Sequence, residues 1–113
     1  GNIKAATAFS KRIHLEKEAL EQQIRSEAST QKLMMQTWLT QNSTLRNALL
    51  PAARKNSKQL EEAYRRGQGS FTDLLKSKLQ ELDIESQIVA NTNAFHKAKV
   101  IYLATIGQSQ QTF

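Results

Sequence analysis

Apolar residues recur at helical spacing through the first part of the chain: Ile13, Leu20, Ile24 and Ala28, then Met35, Trp38, Leu45, Leu49 and Ala52. From Ile24 onward the steps alternate between four and three residues once Gln31 and Asn42 are admitted. That is a heptad seam with polar interruptions, continued by Leu60 and Ala63. The spacing predicts one helix over about 3–66. Two features threaten its continuity. Pro51 removes a backbone donor and should kink the helix around residues 47–50. The run Thr40-Gln41-Asn42-Ser43-Thr44 has poor helix propensity and offers a place for a turn. A break near Asn42 or Pro51 would give a three-helix bundle in place of a long hairpin.

The sharpest local signal is Tyr64-Arg65-Arg66-Gly67-Gln68-Gly69-Ser70-Phe71-Thr72-Asp73-Leu74-Leu75. Gly67 suits the left-handed residue that ends a helix, and Arg65 and Arg66 suit a last turn. Ser70 is a good N-cap, with Asp73 three residues later approximating a capping box. Stop, short turn and start describe the tip of an αα-hairpin, at 67–70.

A second helix then extends over about 71–106, with Gly107 as its natural stop. Leu75, Leu79, Leu82, Val89, Val100 and Leu103 follow one seam, into which Ser86, Asn93 and His96 also fall. Leu74, Ile84, Ile88, Phe95 and Tyr102 lie beside it, so the apolar stripe is wide. The polar tail 108–113, including Phe113, should fray. The hairpin thus occupies 1–107, and its first helix is the longer. Phe9, Ile13, Leu20 and Ile24 would overhang and need cover from elsewhere.

Composition agrees with the pattern. The 113 residues include one Pro and four Gly, with little β-branched clustering, and describe an all-α chain: a long antiparallel helical hairpin or coiled coil. The chain reads as one segment of a longer protein. With no Cys it has no disulfide framework, zinc ribbon or thiol nucleophile, and its apolar runs are too short for a membrane-spanning helix.

Chemistry is sparse. His14 and His96 are far apart in sequence, and neither belongs to a metal-ligand spacing. The acidic sets Glu16, Glu18, Glu21 and Glu81, Asp83, Glu85 read as solvated helix faces. There is no phosphate loop or nucleophile motif, so catalytic residues, cofactor and metal are all expected to be absent. Met34, Met35 and Trp38 read as packing residues, and Asn42-Ser43-Thr44 matches a glycosylation sequon. The formal charge of +6 is concentrated toward the turn, where Arg46, Arg54, Lys55, Lys58, Arg65 and Arg66 outnumber Glu61 and Glu62. A basic surface there suits either nucleic acid or docking on another protein.

The order Leu50-Pro51-Ala52, then Ala63-Tyr64-Arg65-Arg66-Gly67, then Ser70-Phe71-Thr72-Asp73-Leu74-Leu75 resembles the TolC-like outer membrane efflux protein family. Asn2-Ile3-Lys4-Ala5-Ala6 is similar to the segment where that family's chain leaves its β-barrel. Ala94, Ala98 and Leu103 followed by Gly107 resemble its returning helix. The resemblance implies a periplasmic helical hairpin of a homotrimeric channel anchored in the Gram-negative outer membrane by a barrel that lies outside this segment. It implies a tip that docks a periplasmic adaptor and, through it, an inner membrane pump. Arg66, Gly67, Gln68, Gly69 and Ser70 would be the adaptor-contacting residues. Many members carry a small apolar residue where this chain has Arg66, which leaves docking open between apolar and charge-based modes. Two other readings are a periplasmic adaptor's own coiled-coil hairpin and a basic helical module for nucleic acid.

Overall fold

The computed structural model describes residues 1–112. In order, α1 runs Asn2–Thr44, a π-helical turn Leu45–Leu49, α2 Leu50–Arg65 and α3 Phe71–Thr112. No strand occurs among these residues. The polar run Thr40–Thr44 stays helical, and both Thr44 and Leu50, which flank the π turn, keep right-handed helical dihedrals. Neither Asn42 nor Pro51 breaks the chain into a third antiparallel helix.

What Pro51 does is subtler. A proline in a regular helix has no N–H for the carbonyl four residues back, and its ring crowds that carbonyl. Here the turn just before it is widened, so the Leu50 N–H donates five residues back to the Leu45 carbonyl. Pro51 then sits in the first turn of α2, where a missing donor costs nothing. The extra residue displaces the seam. Burial runs Ile24, Ala28, Gln31, Met35, Trp38, Asn42, Leu45, then steps by five to Leu50 and on to Ala53, Ser57 and Leu60. The expected seam members Leu49 and Ala52 are therefore exposed, and Leu50 and Ala53 replace them.

Contacts divide the chain into two units, residues 35–97 and residues 1–34 with 98–112. The first unit is an antiparallel hairpin of the end of α1, the π turn and α2 against the first part of α3. Its core is Leu45, Leu50, Ala53, Ile84 and Ile88. Nearer the turn the seam narrows to Ser57, fully buried, and Ser77, whose hydroxyls are hydrogen-bonded at 3.3 Å. Ser77 Oγ also bonds the Leu74 carbonyl at 2.6 Å. Small residues facing each other let two helices approach closely without burying an unsatisfied group. At the other end of this unit Asn42 Nδ2 donates to the Ile88 carbonyl (3.2 Å) and to Thr92 Oγ1 (3.1 Å). Thr92 Oγ1 donates in turn to the Ile88 carbonyl. This polar cross-link fixes the pairing register.

In the second unit Ile24, Ala98 and Thr105 are buried, and Thr105 returns its hydroxyl proton to the Ile101 carbonyl at 2.8 Å. Ile24 thus finds cover within the chain. Residues 1–20, including Phe9, Ile13 and Leu20, are exposed. Gly107 does not stop α3, which continues to Thr112. Its φ is not positive, and no proline follows to end the helix. The expected frayed tail is helical over 108–112, and Phe113 lies outside the described residues.

The face α3 buries also differs from expectation. Leu74, Ser77, Glu81, Ile84, Ile88, Asn91, Phe95, Ala98, Tyr102 and Thr105 step by three and four and carry the buried positions described for α3, with five of the half-buried ones. The more apolar series, Leu75, Leu79, Leu82, Val89, Val100 and Leu103, is exposed by 46–67%. Ser86, Asn93 and His96 are exposed with it. The polar members of the true seam are Ser77, Glu81, Asn91 and Thr105.

Candidate docking site at the helical turn

The turn is built by backbone hydrogen bonds around two glycines. Arg66 ends α2 with φ −85° and ψ 7°, and Gly67 follows at φ +76°. The Gln68 N–H reaches back to the Ala63 carbonyl at 2.8 Å, and the Gly67 N–H to the Tyr64 carbonyl at 3.0 Å. These are the nested six-to-one and five-to-two bonds of a Schellman stop, which satisfy the last carbonyls of α2. Gly69, at φ +85°, turns the chain again. Ser70 then caps α3: its Oγ accepts from the Asp73 N–H at 3.3 Å, and its carbonyl accepts from the Leu74 N–H at 3.1 Å.

The residues expected to contact a partner, Arg66, Gly67, Gln68, Gly69 and Ser70, are brought together here and all are exposed. Tyr64 and Phe71 flank them from the two helices, with ring centroids 6.0 Å apart and planes tilted by 55°. Both rings are about half exposed, at 47% and 59%. Aromatic rings in that geometry attract each other and still present apolar surface.

Behind the turn, charge is organised across the hairpin. Glu61 accepts from Arg65 Nη2 at 2.8 Å on its own helix and lies 3.6 Å from Lys78 Nζ on α3. Lys78 also approaches Glu81 at 3.9 Å, and Arg54 pairs with Glu85 at 3.5 Å across the helices. Exposed pairs of this kind contribute little stability each, at most about 1 kcal/mol. Their consequence is that Glu61, Glu81 and Glu85 are occupied. Lys55, Lys58, Arg66 and Lys76 form no ion pair among the described residues.

The remaining sequence candidates are dispersed. His14 pairs with Glu18 at 3.0 Å on an exposed face, and His96 meets the Phe95 ring edge-on at 5.5 Å. No group of three or more His, Asp or Glu side chains suited to a metal gathers among the described residues. Met34 is exposed, whereas Met35 and Trp38 are half-buried in the seam. Asn42, the acceptor residue of the sequon, spends its amide nitrogen inside the hairpin. A groove of about 410 Å³ beside it is lined by Trp38, Leu39, Asn42, Arg46, Phe95 and His96. Trp38 Nε1 and Asn42 Oδ1 are buried there without a hydrogen-bond partner among the described residues. Sequence reading missed this polar layer as a unit. Its signal was the four-residue step from Trp38 to Asn42 within the seam.

No helix among the described residues is long and apolar enough to cross a membrane. No protein-family model, curated protein or solved structure matches the chain significantly.

Proposed function

We propose that this chain is a wall segment of a helical tunnel: the periplasmic hairpin of a homotrimeric outer membrane efflux or secretion channel. It performs no catalysis and needs no cofactor. Its turn, Arg66 to Ser70, docks a periplasmic adaptor protein and, through it, an inner membrane pump. The motif order that resembles the TolC-like family supports this reading.

The observation that carries it is the choice of face on α3. A hairpin meant to stand alone gains most by burying its more apolar stripe. This one sets buried Ser77 and half-buried Glu81 and Asn91 beside its isoleucines and leaves Leu75, Leu79, Leu82 and Val89 exposed. A stave in a closed ring of helices needs apolar surface on both flanks, one for its own partner helix and one for the neighbouring stave.

The test uses the complete protein in a Gram-negative host that lacks its own tunnel proteins. The chain has no cysteine, so Leu82→Cys introduces the only thiol of this segment. The expected result is an outer membrane protein that oxidation cross-links between copies, and that raises drug or metal tolerance when an adaptor and pump are supplied. A protein confined to the soluble fraction, with no cross-link, overturns the reading.

A further inference from the structure

We infer that the turn docks an acidic protein segment: a helical tip that presents carboxylates around an apolar side chain. This rests on the docking reading above and adds the chemistry of the partner.

Among the described residues the unpaired cations around the turn, Lys55, Lys58, Arg66 and Lys76, outnumber the unpaired carboxylates there, Glu62 and Asp73. Glu61 is shared by Arg65 and Lys78, Glu81 lies against Lys78, and Glu85 holds Arg54. That leaves Arg66 at the C-cap of α2, Lys58 two turns before it and Lys76 in the second turn of α3 with no ion pair among the described residues. Arg66 is also the last residue before the left-handed Gly67, and it is exposed. A guanidinium there offers a planar donor fork to a carboxylate.

The centre of the same surface is apolar. The Tyr64 and Phe71 rings touch across the turn, and each keeps about half of its surface exposed. An aromatic centre with a charged rim is the anatomy of a protein interface, in which the rings supply the buried anchor and the rim selects the partner.

The charge pattern selects protein over nucleic acid. Lys58, Glu62 and Arg66 stand four residues apart on one helical stripe, and Glu62 makes no ion pair among the described residues. Asp73 lies in the first turn of α3. A phosphate backbone would meet repulsion at Glu62 and Asp73, since its own charges all have one sign. A protein segment can place acids opposite Lys58, Arg66 and Lys76 and leave Glu62 facing a neutral or basic residue.

Fluorescence polarisation with this chain tests the inference. The probes are two labelled synthetic helical hairpins, identical except that one carries Glu and the other Gln around a Leu at its turn. A single-stranded oligonucleotide serves as a third probe. The Glu hairpin should bind about tenfold more tightly than the Gln hairpin, a ratio within reach of one charge-assisted contact. Arg66→Gln should remove most of that preference, and Lys99→Gln, an exposed cation far from the turn in sequence, should leave it intact. Affinity should fall as salt rises from 50 to 200 mM. Circular dichroism checks that each variant keeps its helix content. Equal binding of both hairpins, lost on Phe71→Ala, overturns the acidic partner and leaves adaptor docking standing as an apolar contact. Preference for the oligonucleotide overturns it in favour of nucleic acid. Binding of no probe also overturns it, while membrane location and cross-linking in the complete protein judge the tunnel reading separately.

Discussion

At the residue scale, two glycines of the same chain are under opposite constraints. Gly67 sits at φ +76° with nothing within 4 Å of where a Cβ would stand. Alanine there meets no neighbour and suffers only the left-handed backbone, about 1–2 kcal/mol. Gly107 is within a helix, with nothing near its absent Cβ. Alanine there should instead gain up to about 1 kcal/mol, less where the helix end frays. Urea unfolding of Gly67→Ala and Gly107→Ala should therefore move in opposite directions from the wild type. A loss of stability in Gly107→Ala would return Gly107 to the role of a helix stop. Gly67 and Ser70 were legible in the sequence because their hydrogen bonds are local: each cap is decided within about five residues, and the residue types required are few. The candidate docking residues Arg66 to Ser70 are contiguous in the chain and fall on that exposed turn.

At the scale of elements, the sequence was a poorer guide, and the π turn explains part of the reason. Heptad counting carries the seam from Leu45 to Leu49 and Ala52, whereas the structure steps five residues to Leu50. Pro51 announces a disturbance but does not say whether the helix kinks or takes in an extra residue. That depends on which register lets Leu50 and Ala53 meet Ile84 and Ile88. The face of α3 was ambiguous for a related reason. Both its stripes have heptad spacing, and apolar content favours the exposed one. Ser77 and Ala98 win because small residues admit a helix at close range, which is a property of the pair of helices rather than of either alone. A deletion series checks the register. Removing Asn47 together with Pro51→Ala turns the five-residue step into four, keeps Leu45 and Leu50 on one seam, and should leave stability within about 1 kcal/mol of the wild type. Removing Asn56 instead throws Ser57 and Leu60 off the seam and should cost about 2–5 kcal/mol, comparable with a core truncation. If the two deletions were equally damaging, the π turn would not be the place where the register is set.

At the scale of the whole molecule, two forces act in opposite senses on association between copies, and salt separates them. The stripe Leu75, Leu79, Leu82 and Val89 is exposed along α3 and gains about 25 cal/mol for each Å² taken out of water. A formal charge of +6 makes like copies repel. Screening weakens the repulsion and leaves apolar burial in place, so self-association of this chain should strengthen between 50 and 500 mM salt. Docking through the cationic turn should weaken over the same range, and this contrast assigns a measured contact to one surface or the other. Sedimentation velocity over a range of concentrations should show the wild type forming larger species. Leu79→Lys with Val89→Lys should remain a monomer with unchanged helix content, because both positions are more than half exposed before any partner arrives. A wild type that stays monomeric at several hundred micromolar in high salt would mean that the stripe needs no second copy. The tunnel reading would then lose its main physical support, although the turn and its charges would still call for a partner.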